Sequence, residues 1–413
     1  MELEIYGLRR AEAATLKLRS LYETYGYRKY RMGRFEEYSL YAANKSFLLS
    51  ENVLTFTDLD GRLMAMKPDI TLGIAKNTKV GRTSCEKVYY IENVYRESKE
   101  SHTYQEISQM GLECMGAVDS FTIAEVLSLA IQTLASFQIE YVLKISNMDF
   151  VVGLMDGISA GPEVKEEILA LIRSKNKSDL ILLCEKEGIA GEEREKLIQL
   201  PELYGEFSET LARASALADG SPMMEAAVER LETLHGLLES EGLAGRVRLD
   251  FSMVNDIEYY NGIIFQGYLD GLARYVLSGG QYDGMMAKLS KEAEAIGFGL
   301  YLKELDWLPE KQRAFDAEAL ILYEDSTDLK GLFEAAEGLR RKGQRVRVER
   351  NIPADQAFGV IYRYGDEGLR AVREDCVPGE PEELQQADKK PEESQELPEE
   401  VKTAAGGKEA SGC

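Results

Sequence analysis

The stretch that decides the fold is YYIENVYRESKESHTYQEISQMGLECMG, residues 89–116. Two runs in and around it, residues 88–95 and 106–115, contain many aromatic and aliphatic side chains and are typical of β-strands. The polar residues 96–104 between them follow neither a helical nor a strand period, which favours a loop. The sequence therefore predicts a long antiparallel pair of strands with a loop at its end.

Smaller elements are predicted on the N-terminal side of this pair. Residues 8–25 place apolar side chains at close to a 3.6-residue period, which predicts an amphipathic helix. Residues 53–57 and 63–67 flank the turn sequence Asp-Leu-Asp-Gly and predict a hairpin. Pro68 ends its second strand, and Asp69 or Thr71 is placed to cap a helix that starts near Leu72.

Helices and strands both follow on the C-terminal side. A helix is predicted at residues 120–137, and strands are predicted at residues 141–145, 247–251, 263–268 and 274–277. Residues 156–243 keep a helical period with charged solvated faces, and we interpret them as a helical insertion. A glycine-rich run at residues 297–300, expected to pack against sheet backbone, leads into an apolar helix that ends near Trp307. Residues 1–312 therefore predict an α+β fold, an antiparallel sheet flanked by helices.

A second, smaller unit is predicted over residues 313–376. Strands at residues 319–323, 346–349 and 359–364, with a helix at residues 329–342 that Gly343 ends, form a β-α-β unit. From residue 377 to residue 413, polar and small side chains dominate and apolar ones nearly vanish. This acidic tail buries too little surface to offset the entropy of ordering, so we expect it to be disordered.

The composition argues against several kinds of protein. The 413 residues carry a formal net charge of -23, which opposes a phosphate backbone and argues against tRNA as a partner. The two histidines and five cysteines lack metal-ligand spacing, so we expect no metal and no cofactor. We find neither an apolar run of about 18 residues nor a signal peptide, and we expect a cytoplasmic protein without a membrane span.

Five segments resemble, in sequence order, motifs of the class II aminoacyl-tRNA synthetases in the form found in histidyl-tRNA synthetases. The stretch at residues 89–116 resembles motif 2, and AIGFGLYLKEL at residues 295–305 resembles motif 3. KPDIT (67–71), NDIEYYNG (255–262) and GGQYDG (279–284) are similar to RPEGT, RGLDYYN and GGRYDG of that family. The resemblance implies the class II synthetase-like fold, and it implies that the C-terminal β-α-β unit is a truncated anticodon-binding-like domain.

The departures from the family mostly concern basic residues. Class II synthetases use arginines to hold the negatively charged phosphorus of the transition state. By the resemblance, Asn255 and Gln281 stand where the family has arginine, and Glu304 replaces the arginine of motif 3 that stacks on adenine. In motif 2, Thr103 and Gln105 replace basic residues. We therefore expect that the chain has no catalytic residues and has lost aminoacylation.

The amino-acid pocket of the family is retained. The resemblance implies a histidine-binding site made of Asp69, Thr71, Arg96, Gln109, Glu113, Glu258, Tyr259 and Tyr260. A histidine site needs an acceptor for the ammonium group and polar groups for the imidazole nitrogens. Asp69 would accept from the ammonium group and Arg96 would meet the carboxylate. Gln109 and Glu113 lie four residues apart on one predicted strand, so they share a face.

Each of these residues also has an ordinary structural explanation. Asp69 and Thr71 are residue types that commonly cap helices. Gln109 and Glu113 would lie on an exposed strand face in most proteins, and a Tyr-Tyr pair is commonly part of a core or an interface. Their joint agreement with one set of motifs favours a binding pocket.

One family related to the synthetases combines a kept pocket with lost arginines: the regulatory subunits of ATP phosphoribosyltransferase. The resemblance implies a subunit that assembles with a short-form catalytic ATP phosphoribosyltransferase and is required for the first step of histidine biosynthesis. It also implies feedback regulation by histidine and a homodimer within a larger hetero-oligomer. Two alternatives stay open, a divergent active histidyl-tRNA synthetase and a synthetase-like sensor that binds tRNA. The lost arginines argue against the first, and the acidity argues against both.

Overall fold

The structure is a computed structural model that describes residues 8–48, 52–80, 84–98, 101–254, 259–308, 315–325 and 327–376. The chain forms two units, Met1–Glu310 and Lys311–Cys413, and each packs mainly within itself. The predicted disorder of residues 377–413 falls outside the described residues.

The first unit holds most of the secondary structure. Its helices are α1 (Arg10–Thr24), α2 (Tyr38–Ala42), α3 (Thr71–Asn77), α4 (Ser120–Ala135), α5 (Met148–Asp156), α6 (Pro162–Arg173), α7 (Lys177–Glu187), α8 (Gly191–Gln199), α9 (Phe207–Ala218), α10 (Pro222–Ser240) and α11 (Asp283–Lys288). Its strands are β1 (Arg28–Lys29), β2 (Phe35–Glu37), β3 (Thr55–Thr57), β4 (Leu63–Met66), β5 (Glu86–Ser98), β6 (Thr103–Gly116), β7 (Tyr141–Asn147), β8 (Tyr204–Glu206), β9 (Val247–Asp250), β10 (Asn261–Leu269), β11 (Leu277–Gln281) and β12 (Glu294–Tyr301). Short 3₁₀ turns lie at Lys45–Phe47, Leu200–Glu202, Ala244–Arg246 and Leu302–Trp307.

Nine strands of the described residues form the main sheet, in the order β1-β5-β6-β12-β11-β10-β7-β9-β8. Neighbours run antiparallel except β1 with β5 and β7 with β9, which are parallel. Two of the remaining strands, β2 and β3, flank β4 in a small separate sheet that contains the predicted hairpin. The α+β prediction is confirmed, with a mixed sheet rather than a purely antiparallel one.

The central pair of strands is longer than predicted. The ladder between β5 and β6 continues through Arg96 with Gln105 to Ser98 with Thr103. The loop predicted at residues 96–104 was therefore wrong over most of its length. Cross-strand backbone hydrogen bonds extend the ladder although its side chains are polar, because strand pairing does not require both faces to be buried.

One face of this sheet is closed by a helical layer. Asp119 caps the start of helix α4, because its side chain accepts from Thr122 N at 2.8 Å. The buried stripe of this helix, including Leu127 and Ile131, shares one core with Leu112 and with helices α6–α10. Burial of each such aliphatic side chain contributes about 1.5–3 kcal/mol. Because side chains alternate along a strand, the residues flanking Leu112 point to the opposite face.

Two predictions at the sheet needed correction. The strand predicted at residues 274–277 begins later, at Leu277, and runs to Gln281. The segment at residues 156–243, interpreted as helical throughout, also contributes the three-residue strand β8 at the sheet edge.

Glycines explain why β11 and β12 gave weak strand signals. A Cβ on Gly279 would lie 2.2 Å from the carbonyl oxygen of Gly297 on the neighbouring strand. The crowding at the sheet centre therefore requires residues that have low strand propensity. The predicted packing of the glycine-rich run against sheet backbone is confirmed, and the apolar helix predicted after it is the 3₁₀ turn Leu302–Trp307.

The second unit contains the predicted β-α-β element and one strand more. Its elements are β13 (Ala317–Leu322), α12 (Leu329–Arg340), β14 (Val346–Glu349), β15 (Phe358–Gly365) and β16 (Gly368–Cys376). In the described residues they form a sheet of order β14-β13-β15-β16, and β13 is parallel to both of its neighbours. Gly343 adopts φ +84°, as expected just after a helix. Strand β16 was not predicted, because its charged side chains hide any apolar alternation.

Candidate functional site

A cavity of about 160 Å³ lies on the face of the main sheet that α4 leaves open. It is lined by Asp69, Thr71, Tyr90, Arg96, Gln109, Tyr259, Tyr260, Gln266, Tyr275, Ser278, Gly299 and Tyr301. Its volume is close to that of an engineered cavity of about 150 Å³ that accommodates benzene. The cavity therefore has room for one small ring with a few attached groups.

The strand register explains how these side chains meet. Gln109 lies opposite Tyr301, and Gly299 lies opposite both Gly111 and Ser278. Residues directly opposite each other in an antiparallel ladder point to the same face, so three neighbouring strands build one floor. Gln266 extends the same row from the next strand, where it pairs with Ser278.

Glycines in the floor make room for tyrosine rings. A Cβ on Gly111 would lie 2.4 Å from Tyr90 Oη, and one on Gly280 would lie 2.8 Å from Tyr260 Cδ1. Both distances are shorter than any real Cβ contact. The aromatic lining of the cavity therefore depends on the small residues beneath it.

The charged end of the cavity consists of Asp69 and Arg96. Asp69 Oδ1 accepts from Leu72 N at 2.8 Å near the start of α3, and Asp69 Oδ2 lies 3.6 Å from Arg96 Nη2. Arg96 also donates through Nε to the carbonyl oxygen of Pro68 at 2.6 Å. Burial raises the pKa of Asp69, and the nearby Arg96 guanidinium opposes that rise. A bound cation beside Asp69 would oppose the rise further.

Glu113 lies behind Thr71 rather than in the cavity wall. Its carboxyl oxygens accept from Thr71 Oγ1 at 2.7 Å and from Tyr282 Oη at 2.6 Å. Only glycine fits at position 297, since a Cβ there would lie 2.4 Å from the carbonyl oxygen of Leu112 and 1.8 Å from Glu113 Oε2. Burial raises the pKa of Glu113 to about 8, although both hydrogen bonds act in the opposite direction. Glu113 thus fixes the Thr71 hydroxyl from below.

Aromatic rings close the remaining sides. The centroids of Tyr259 and Tyr260 are 4.3 Å apart, and those of Tyr275 and Tyr301 are 5.9 Å apart. Tyr301 Oη lies 3.3 Å from Ser278 Oγ. Rings with polar tips give a planar ligand both an apolar face and hydrogen-bonding partners.

The structure brings most of the predicted site residues together. Those that line the cavity are Asp69, Thr71, Arg96, Gln109, Tyr259 and Tyr260. Glu113 supports Thr71 from the layer below, and Glu258 lies outside the described residues.

Several residues of the site were missed by sequence reasoning. Tyr90 could have been found, because it lies opposite Gly111 in the predicted pair of strands. Tyr282 belongs to the GGQYDG segment, but its contact with Glu113 joins residues 169 positions apart. Gln266, Tyr275 and Ser278 carried no sequence signal that pointed to a site.

The positions that lack the family's arginines lie elsewhere. Gln281 is buried, and its Oε1 accepts from Ile263 N at 2.9 Å, where the β10–β11 register shifts. Glu304 is half-buried in the turn Leu302–Trp307. Neither residue is among the described residues that line the cavity. The third such position, Asn255, lies outside the described residues.

The described residues lack two kinds of feature. They contain no group of three or more His, Cys, Asp or Glu side chains placed to hold a metal ion. None of their helices is both long enough and apolar enough to cross a membrane.

The main sheet and its cavity define a class II aminoacyl-tRNA synthetase-like protein, and comparison with known proteins agrees. The family model described as histidyl-tRNA synthetase matches residues 5–305. The ATP phosphoribosyltransferase regulatory subunit of Clostridium kluyveri is 30% identical over 338 residues, covering 79% of this chain and 85% of the relative. This chain belongs to the histidyl-tRNA synthetase family, among the ATP phosphoribosyltransferase regulatory subunits.

Solved structures agree on the fold. An ATP phosphoribosyltransferase regulatory subunit/histidyl-tRNA synthetase from Bacillus halodurans matches with a TM-score of 0.69 at 22% identity, over 82% of this chain and 88% of that one. A chain of an ATP phosphoribosyl transferase complex from Thermotoga maritima matches with a TM-score of 0.54 at 21% identity, over 70% of this chain and 96% of that one. The fold and family predicted from the sequence are confirmed.

Proposed function

We propose that this chain is a non-catalytic regulatory subunit that binds histidine in the cavity and assembles with a short-form catalytic ATP phosphoribosyltransferase. The observation that carries the proposal is the cavity itself. It combines a buried carboxylate, a guanidinium and fixed hydroxyl and amide groups in a volume of about 160 Å³. A space of this size suits an amino acid with one ring and is far too small for a nucleotide.

The polar groups match the chemistry of histidine. Asp69 is the acceptor for the ammonium group, and Arg96 is the donor to the carboxylate. Thr71, held by Glu113 at 2.7 Å, and Gln109 are placed to bond the imidazole nitrogens. Tyr259 and Tyr260 cover the ring.

The same cavity is poorly suited to amino-acid activation. Transfer to the α-phosphate of ATP requires cations around a highly charged transition state. Among the described lining residues, Arg96 is the one cation, and it already faces Asp69 at 3.6 Å. Gln281 and Glu304 supply none. We therefore propose that aminoacylation is lost.

The names of two relatives support the proposed partner. The Clostridium kluyveri relative is named as a regulatory subunit, and the Thermotoga maritima chain belongs to an ATP phosphoribosyl transferase complex. We propose that this chain, as a homodimer in a cytoplasmic hetero-oligomer, is required for the first step of histidine biosynthesis. If histidine binds one assembly state more tightly than another, it inhibits by linkage, with a coupling of about 1–3 kcal/mol.

Three measurements on the full-length protein test these proposals. Calorimetry with L-histidine should give binding in the micromolar range, and ATP–pyrophosphate exchange with histidine should stay at background. Mixing with a short-form catalytic subunit should give one complex with histidine-sensitive activity. Absence of histidine binding would remove the sensor role. Robust exchange would favour an active histidyl-tRNA synthetase, and tight tRNA binding without exchange would favour a tRNA sensor.

A further inference from the structure

Two cavity residues lie between β9 and β10, and described residues on both sides of positions 255–258, which lie outside the described residues, contact neighbouring helices. The chain leaves β9 at Asp250 and enters β10 at Asn261, and Tyr259 and Tyr260 lie between these points. Helices α6 and α10, together with the short strand β8, approach this stretch. We call α6–α10 with β8 the helical segment.

The first contact joins the helical segment to Asp250. Asp250 is 3% exposed, and its carboxylate lies 3.2 Å from the ammonium groups of both Lys144 and Lys175. Lys144 belongs to the sheet, whereas Lys175 follows α6 directly. The Lys175 ammonium also lies 3.5 Å from the ring centroid of Tyr204 in β8. Removal of either cation would leave the buried carboxylate less compensated, which is costly.

The backbone conformation of Lys175 is one that glycine usually adopts, which points to a role for its side chain. Lys175 adopts φ +56°, and its N–H donates to Ile172 O at 2.9 Å to end α6. A left-handed residue just after a helix is usually glycine, because a Cβ is disfavoured in that conformation. A lysine in this position is explained by its contact with Asp250.

The second contact reaches the main chain itself. Arg173, the last residue of α6, donates through Nε to the carbonyl oxygen of Val254 at 2.8 Å. Beyond the tyrosines, Gly262 N donates to Asp149 Oδ1 at 3.3 Å, and Asp149 Oδ2 lies 4.0 Å from Arg230 Nη1 on α10. The helical segment therefore contacts Val254 directly and Gly262 through Asp149.

We propose that Arg173 and Lys175 are positioning residues that hold Tyr259 and Tyr260 over the cavity and so connect ligand binding to the helical segment. The proposal rests on the proposed histidine binding, but it adds residues that do not touch the ligand. It predicts that occupancy of the cavity is communicated to α6–α10. A partner bound to those helices would then respond to histidine.

The test uses the full-length protein with three variants. Lys175→Gly suits the left-handed backbone but removes the ammonium, and Arg173→Met keeps the side-chain stem but removes the donor. Lys177→Ala is the matched control. Lys177 lies only two residues after Lys175, but it pairs with the exposed Glu202 at 2.8 Å. The two readouts are calorimetry with L-histidine and amide hydrogen exchange over residues 259–264.

We expect Lys175→Gly and Arg173→Met each to weaken histidine binding about tenfold and to speed exchange over residues 259–264 without ligand. Lys177→Ala and the conservative Lys175→Arg should match the wild type. Unchanged affinity in both test variants would overturn the proposal, whatever the exchange shows. If the wild type itself bound no histidine, the proposed function would fail. Exchange would then decide the positioning role alone, and unchanged exchange over residues 259–264 would overturn it.

Discussion

The cavity and the positions that lack arginine differ in what their buried polar groups do. Around the cavity, Asp69 Oδ2 and Arg96 Nη2 lie 3.6 Å apart, and both side chains line the space although each also makes a backbone hydrogen bond. At the arginine-deficient positions, Gln281 is engaged by the backbone N–H of Ile263, and Glu304 lies in a short turn. The polar groups of the cavity border a space that a ligand can enter, whereas Gln281 serves the fold.

Under the proposed function, this difference explains how a synthetase-like fold loses chemistry without losing recognition. Recognition of an amino acid needs a few polar groups held in place by their neighbours, and those neighbours are retained here. Activation needs additional cations. The free energy of desolvating a cation in a buried site is offset only when a phosphate ligand binds there. A substitution such as Gln281 removes that cost and satisfies a backbone donor as well.

The largest effect is expected where the comparison predicts a binding group. Asp69→Asn keeps an acceptor for Leu72 N but removes the negative charge that faces the ligand's ammonium group. We expect calorimetry to show histidine binding weakened about 100-fold, or about 2.7 kcal/mol.

The matched control is Asp119→Asn, the same change at an exposed helix N-cap that accepts from Thr122 N at 2.8 Å. It should leave the affinity unchanged. An Asp69→Asn variant that binds within threefold of the wild type would show that Asp69 is only a helix cap.

A smaller effect is expected at Gln281, where a substitution should lower stability rather than histidine affinity. Gln281→Leu leaves the buried N–H of Ile263 without its acceptor at 2.9 Å, which should lower the free energy of unfolding by about 1–3 kcal/mol. Histidine affinity should stay the same, because Gln281 is not among the described cavity residues. Urea unfolding and calorimetry on one preparation measure both quantities.

The exposed Gln199 provides the control, since Gln199→Leu removes only a surface hydrogen bond to Glu195 O. A loss of histidine affinity in Gln281→Leu without a loss of stability would show that Gln281 acts in binding rather than in the fold.

The sequence predicted the elements of this fold better than their limits. The long pair of strands was predictable from the apolar runs around Tyr89 and Leu112. Its extension through Arg96 and Gln105 was not, because polar side chains at a sheet end give the same signal as a loop. Strand β8 has three residues and exists only because β9 offers it a partner, so no local pattern could identify it.

The site was predictable where it coincides with family motifs and not beyond them. Asp69, Thr71 and Gln109 lie in segments that resemble those motifs, and all three line the cavity. The wall formed by Tyr275 and Tyr301 depends on the register of β12 against its neighbours, which the sequence did not determine. That Glu113 lies behind Thr71, rather than beside it, is likewise a result of packing.

The last predicted effect concerns Glu113, which lies behind Thr71. Burial raises the pKa of Glu113 from 4.5 to about 8, so the folded protein binds more protons than the unfolded chain between those values. The contribution of protonated Glu113 to the free energy of unfolding is therefore fully present below about pH 4.5 and is lost as pH rises toward about 8. The slope is at most about 1.4 kcal/mol per pH unit.

Glu113→Gln removes this titration while keeping an oxygen for Thr71 or Tyr282. Urea midpoints measured from about pH 5 to about pH 8 should therefore change less in the variant than in the wild type. Glu106→Gln, on the exposed part of the same strand, should keep the wild-type slope. Equal slopes in Glu113→Gln and the wild type would mean that Glu113 is already ionised in the folded protein. The layer below Thr71 would then carry a full negative charge, and the cavity would favour a protonated imidazole over a neutral one.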